Sequence, residues 1–241
     1  MSMPRSSSDN AAASASASFP ALSSKGDADA IAQEWAGRDP DVRLMLEVRS
    51  DEPGAFERLV RKYQNRLLTI LTHLVGSREE AEDLTQDVFL RIYKARKGYK
   101  PRAKFSTWLF TIANNLALNH MRTKGRRPTV SLGTNDESGS LGGVSMVQAV
   151  ARDGTPSAQM RQVELAQVVQ HAVNTLGEDQ RLAILLSKFE EMSYAEIGEI
   201  MTKSEAAVKS LLARARMNLR DQLEPYLRTD FSGTIASTKE A

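Results

Sequence analysis

There is no cysteine among the 241 residues of this chain. A disulfide framework, a cysteine-bound zinc and a thiol nucleophile are therefore excluded, and the composition fits a reducing compartment. Histidine is scarce too. His73, His120 and His171 stand far apart, and none has a second histidine or a carboxylate at metal-ligand spacing. No metal and no cofactor is expected. No apolar run reaches the roughly 18 residues of a membrane span, so no membrane insertion is expected. The Ser/Ala-rich start lacks an apolar segment and does not read as a secretory signal. A phosphate-binding glycine loop and a nucleophile beside a base are also missing, so no catalytic residue and no enzyme are expected. Net charge is only +2 and aromatic residues make up 6%. Composition alone does not point to nucleic acid.

What is present is a packable chain, 41% hydrophobic and 26% charged. Its charges are unevenly placed. Arg91, Lys94, Arg96, Lys97, Lys100, Arg102 and Lys104 follow one another with no acid between them, and Arg122, Lys124, Arg126 and Arg127 form a second basic group. Glu79, Glu80, Glu82, Asp83 and Asp87 form an acidic block. Basic stripes beside an acidic face suit two different partners. Solvated helix surfaces would carry the same charges, and charge alone does not separate the two readings.

Hydrophobic spacing predicts an all-α fold of two small helical domains joined by a flexible linker. Residues 1–38 open with SSSDNAAASASAS and read as a low-complexity, mostly disordered extension, with a short helix around Ala28–Trp35. Order is expected to begin at Asp39-Pro40, a cap residue followed by proline at the first helical position. Phe56, Leu59, Val60, Tyr63, Leu67, Ile70, Leu71 and Leu74 recur at helical spacing, and Gly76 ends that helix. Ser77 with Glu80 predicts a capping box for the next helix, which buries Ala81, Leu84, Val88 and Ile92. A basic loop, YKPRAK, leads to a helix ending near Arg122. From 125 to 156 the pattern dissolves into GTNDESGSLGGVS-like sequence, a linker too long for an ordinary loop. The second domain, 157–228, reads as helices near 158–176, 179–189, 194–201 and 204–223, stopped by Pro225, with a loose tail over 229–241.

Three surfaces stand out. In SYAEIGEIMTKSEAAVKSLLARAR, a short helix, a tight turn and a second helix form a helix-turn-helix pattern, opened by a Ser193/Glu196 capping box. Ala195 and Gly198 are small enough to let two helices approach. Val208, Leu211, Leu212, Ala215 and Leu219 turn inward, and Lys209, Ser210, Ala213, Arg214, Met217 and Arg220 outward. Cations for phosphates and short polar side chains for base edges suit a helix in a major groove. On the helix through residues 79–97, Asp83, Gln86, Asp87 and Leu90 share a face, which could dock a partner bearing arginine and apolar groups. In KFSTWLFTIANN and beyond, Phe105, Leu109, Ile112 and Leu116 face the core. Lys104, Trp108, Thr111, Asn115, Asn119 and Arg122 form another stripe. An aromatic in line with amides and cations can stack, hydrogen-bond and neutralise an unpaired strand. The loop before it could cup a base that has left the stack, with Tyr99 for stacking. Tryptophan is also common in cores, so Trp108 alone decides nothing.

With those segments in view, the chain resembles a bacterial RNA polymerase sigma factor of the compact, extracytoplasmic-function type. DEPGAFERLVRKYQNRLL is similar to the start of region 2, AEDLTQDVFLRIY to the polymerase-docking segment, and KFSTWLFTIANNLALNHMR to the segment that opens and reads the −10 element. LGEDQRLAILLSKFEEMSYAEIGEIMTKSEAAVKSLLARARMNLR is similar to region 4, the −35 reader. The resemblance implies docking on core RNA polymerase, at its β′ coiled coil and β flap, through Asp83, Gln86, Asp87, Phe89 and Leu90. It implies contacts to the opened −10 strand from Tyr99, Lys100, Arg102, Lys104, Trp108, Asn115, Asn119 and Arg122. It implies −35 contacts from Lys203, Lys209, Ser210, Ala213, Arg214 and Arg216. Promoter DNA, an inhibitory anti-sigma factor and a cytoplasmic site of action are also implied. The alternative the residues leave open is a helix-turn-helix regulator that never joins the polymerase.

Overall fold

The computed structural model describes the backbone of residues 25–126 and 156–236 and the side chains of 30–124 and 164–226. All the regular structure among these residues is helical. The expected linker and the start of the N-terminal extension lie outside the described residues.

Helix α1 (Lys25–Arg38) belongs to the stretch read as disordered, and extends the short helix expected there. It lies on α2 (Pro40–Arg49), where Ala32 is buried and Trp35 packs against the core. Asp39 caps α2 as anticipated, its Oδ1 accepting from the Asp41 N–H at 2.9 Å, with Pro40 in the first turn. Its other oxygen, Oδ2, accepts from the Phe105 N–H at 3.0 Å, so one carboxylate caps two helices.

The first body is built around α3 (Ala55–Val75). Leu59, Tyr63, Leu67, Ile70, Leu71 and Leu74 form its buried stripe. Each fully buried aliphatic of this kind stabilises the fold by about 1.5–3 kcal/mol. Gly76 terminates α3 at φ 77°, a left-handed conformation that glycine adopts at no steric cost. Helix α4 (Arg78–Ala95) packs Ala81, Leu84, Val88 and Ile92 inward and continues into a 3-10 turn at Arg96–Gly98. Ser77 does cap it, accepting from the Glu80 N–H. The reciprocal half of the box is missing, because Glu80 turns instead to Lys124 and His120. Helix α5 (Phe105–Arg126) buries Phe105, Leu109 and Leu116 as expected, while Ile112 is only partly buried. Phe110, Ala113, Asn114 and Ala117 are buried as well. The reason is that α5 is covered on a second side by the other body.

The second body comprises α6 (Pro156–Asn174), α7 (Glu178–Phe189), α8 (Tyr194–Met201) and α9 (Glu205–Ala236). Its core joins Leu182, Leu185, Leu186, Ile197, Ile200, Val208, Leu212 and Ala215. Helix α9 does not stop at Pro225 but continues to Ala236. The proline removes one backbone donor, and the turns beyond it still continue the helix. The tail expected to be loose is thus helical over its first part. The two bodies meet where α8 crosses α5 and α7 crosses α3.

Candidate nucleic-acid interface and docking face

On α4, Asp83, Gln86, Asp87 and Leu90 are all exposed, and Leu90 keeps 49% of its surface accessible. The acidic block divides by partner. Glu80 pairs with Lys124 and Glu82 with Arg78, whereas Asp83 and Asp87 have no ion-pair partner among the described residues. Phe89 is buried and stacks edge-on with Phe56, so it supports the face from beneath rather than presenting itself. Sequence reasoning missed Tyr93. It continues the row one turn beyond Leu90, is exposed, and carries the Arg96 guanidinium 3.8 Å from its ring centre. Phe89, Leu90 and Tyr93, with Gly54, Phe56, Val60, Gln86 and Asp87, line an open hollow of about 760 Å³. Its floor is apolar and its rim carries Asp87, Asp51, Glu52 and Glu57. That is a seat for an apolar side chain next to a cation.

The loop before α5 is held at both ends. Tyr99's carbonyl accepts from Arg49 Nη1 at 3.3 Å, and Phe105 is fixed by Asp39. Upstream, Lys97 and Arg96 both pair with Asp51 and hold its carboxyl below the usual carboxylate range. Tyr99 is only 5% exposed. Its ring lies 4.9 Å from Trp108 and 6.4 Å from Phe105, and burial pushes its hydroxyl's pKa up. The open stacking surface expected of Tyr99 is therefore absent, because its ring is engaged in the aromatic cluster under the loop. Trp108 is half-buried in the same cluster. A hollow of about 560 Å³ remains above it, lined by Lys94, Ala95, Gly98, Tyr99, Lys100, Arg102 and Trp108. Asn115, Asn119 and Arg122 continue from Trp108 along the exposed side of α5. Lys104 does not line this hollow. Its ammonium lies 2.8 Å from Glu196 of α8.

The helix-turn-helix is formed as read. Ser193 accepts from the Glu196 N–H, and the Glu196 carboxylate accepts from the Ser193 N–H and hydroxyl. Thr202 makes the turn at φ 54°. Gly198 is required there, since a Cβ would sit 2.6 Å from the Lys203 carbonyl oxygen. Ala195 plays no such part, being exposed. On α9, Lys209, Ser210, Ala213, Arg214 and Arg216 all face solvent, with Met217 among the most exposed apolar groups. Arg216 reaches back to the Tyr194 hydroxyl and holds its pKa down. Lys203, at the turn, pairs with Asp179 at 3.0 Å.

Residues 59–127 match the family model Sigma-70 region 2, and residues 166–219 match Sigma-70, region 4. The RNA polymerase sigma-H factor of Pseudomonas aeruginosa is 32% identical over 191 residues, which is 79% of this chain and 97% of that protein. The chain belongs to the sigma-70 family, in its extracytoplasmic-function class. The ECF RNA polymerase sigma-E factors of Haemophilus influenzae (33% identical over 190 residues) and Escherichia coli K12 (32% over 193) cover 78% of this sigma factor each and are themselves covered over 97% and 96%. Two solved structures share the fold. CnrH in complex with the cytosolic domain of CnrY is 21% identical with TM-score 0.52, over 76% of this chain and 96% of that one. The Bartonella quintana sigma factor RpoE in complex with the anti-sigma factor NepR is 23% identical with TM-score 0.52, over 71% and 98%. A sigma factor brings core RNA polymerase to promoters. That function is the reading the family supports, and the free-standing regulator is not.

Proposed function

We propose that the three surfaces divide the work of initiation. Asp83, Asp87 and Leu90, with Gln86 beside them, dock on the β′ coiled coil of core RNA polymerase over the hollow floored by Phe89, Phe56 and Tyr93. Lys209, Ser210, Ala213, Arg214 and Arg216, with Lys203 at the turn, read the −35 element in duplex DNA. Lys100, Arg102, Trp108, Asn115, Asn119 and Arg122 hold the opened −10 strand, with Tyr99 shaping the pocket floor and Lys104 joining them. The chain performs no bond chemistry and acts in the cytoplasm, where the polymerase is. The second body also meets the β flap, and an anti-sigma factor binds this protein and holds it inactive; the Bartonella quintana sigma factor of similar fold is seen in complex with an anti-sigma factor.

The observation that carries this reading is the basic hollow at the head of α5, continuous with an exposed row of two amides and an arginine. Melting a few base pairs costs several kcal/mol, and stacking a released base returns about 1–3 kcal/mol. A few captured bases with phosphate neutralisation suffice. The test is transcription with sigma-free core polymerase on genomic fragments. Discrete starts that share two short upstream elements are expected. Asp83→Lys with Asp87→Lys is expected to remove co-elution with core, and Asn119→Ala to lower open-complex formation on the promoters found. Normal open complexes with both Trp108 and Asn119 replaced by alanine would show that the strand lies elsewhere.

A further inference from the structure

The hollow beside α4 draws its walls from three places: Val48 at the end of α2, the Pro53-Gly54 turn with Phe56, and Leu90 and Tyr93 of α4. Leu90 and Tyr93 leave 49% and 42% of their surface to solvent, and Phe56 is only half-buried. An apolar group that enters the hollow removes this surface from water. The rim is acidic. Asp51 is neutralised by Arg96 and Lys97, but Glu52, Glu57 and Asp87 have no ion-pair partner among the described residues. One stretch of this chain has the matching chemistry. The 24 residues ahead of α1 hold a single aromatic, in Phe19-Pro20-Ala21-Leu22. From Asn10 to Lys25 there is no acid, and the one charge is the Lys25 cation. The stretch is tethered to the right body, because α1 lies on α2 and α2 ends at the hollow. Its steps from Phe19 to Lys25 extend to roughly 20 Å, more than the rise of about 15 Å along α2. The other stretches outside the described residues are worse placed. Helix α5 ends beside the first turn of α4, where Lys124 pairs with Glu80, whereas the hollow lies at the last turns of α4. Helix α9 ends on the second body.

We propose that the segment 17–24 of this chain, through Phe19 and Leu22, docks in the hollow of the free protein and leaves it when core RNA polymerase arrives. The second half of this rests on the reading above, namely that Asp83, Asp87 and Leu90 meet core. A phenylalanine ring entering beside Phe56, Phe89 and Tyr93 gains edge-on contacts of the kind these rings already make, Phe56 lying 6.5 Å from Phe89 and 4.9 Å from Tyr93 between centres. Pro20 disfavours helical backbone at Phe19 and so limits the freedom lost on docking. The acidic rim does not repel a segment without acids. A tethered segment acts at an effective concentration on the order of a millimolar, so a weak contact keeps the hollow occupied. Core brings a larger interface and displaces it. Apparent affinity for core is then reduced by the fraction of molecules whose hollow is open. The segment works as a filter, since a partner that offers only a weak apolar contact does not gain the face.

The absence of cysteine makes the test clean. In the full-length chain, Ala21→Cys gives a single thiol on which to mount a benzophenone photo-cross-linker. Irradiation of the free protein is expected to yield cross-links within one chain, to peptides covering 51–60 and 86–93. Phe19→Ser with Leu22→Ser should lower that yield several-fold, with helix content by circular dichroism unchanged. Sigma-free core polymerase, added first, should suppress the cross-link of the parent. Without the label, the same two substitutions should raise apparent affinity for core about five- to tenfold, while run-off start sites on genomic fragments stay the same. No cross-link at the hollow, cross-links only between two chains, or an equal yield after both substitutions overturns the docking. A cross-link that depends on Phe19 and Leu22 but is indifferent to core keeps the docking and refutes the assignment of this face to polymerase. If the docking fails, the co-elution test of Asp83 and Asp87 still decides that assignment by itself.

Discussion

Helices α5 and α9 both present cations and amides or short polar groups to solvent, yet they are built differently. Every α9 position proposed to read the −35 element, from Lys209 to Arg216, faces out and leaves the core to Val208, Leu211, Leu212 and Ala215. On α5 the face proposed to hold the opened strand is shared with the fold. Trp108 is half-buried against Tyr99 and Phe105, and Asn114 is tied to α8. A duplex offers its groove ready-made, so a detachable row of side chains suffices. A released base needs a shaped pocket, and a pocket's walls belong to the core. On the assignments proposed above, the contrast teaches that function and stability are separable on α9 and coupled on α5.

The largest effect should come from disturbing the turn that presents α9. Gly198→Ala places a methyl against the Lys203 carbonyl, where backbone has to move. It is expected to cost about 2–3 kcal/mol in urea unfolding and to abolish −35 binding. If it melts like the parent, the close approach at this turn is not a constraint. Trp108→Ala should come next, costing about 2 kcal/mol for a half-buried aromatic and lowering open-complex formation together with it. Arg214→Ala should do the reverse. It should stay within about 0.5 kcal/mol of the parent in stability while weakening promoter binding by about 1–3 kcal/mol if it reads a base. A destabilised Arg214→Ala or a fully stable Trp108→Ala would each erase the contrast.

The smallest effect expected is on pH. Burial holds the His73 imidazole below its ordinary pKa, with Asn174 partly offsetting it and Arg181 adding to it. The unfolded chain then binds the proton first, so stability is lost as pH falls below the unfolded value of about 6.5. Glu190 works in the opposite sense. Burial raises its pKa despite Arg66, so it resists further loss toward the acid side. Thermal melts of the parent should fall between pH 7 and 5.5, and His73→Gln should flatten that slope. An unchanged slope would place the titrating group elsewhere.

Most of the helices were legible because their signals are local. The 3-4 spacing of α3, the cap at Asp39 and the box at Ser193 are each decided within a few residues. The outward rows of α4 and α9 followed from the same periodicity. What failed depended on distant partners. Glu80 left its capping box for Lys124, 44 positions away, and Arg66 meets Glu190 across 124. No sequence window contains such pairs, so α5's second buried side and the fate of Lys104 were invisible. Tyr99 was misread for a related reason, since a loop aromatic looks free until the tryptophan and phenylalanine that enclose it are placed. Tyr93 could have been found by extending the α4 row one more turn. Pro225 shows that a local stop signal can also be overruled.

The two-fold capping by Asp39 has a kinetic side. By fixing the start of α5, while Arg49 grips the Tyr99 carbonyl, it leaves the loop proposed to capture the strand no slack at either end. The ordering of that loop is completed when the protein folds, not when a base arrives. If this loop captures the strand as proposed above, a base that swings out of the helix meets a cup already in shape. Capture is then set by how often bases open rather than by how long the protein takes to rearrange.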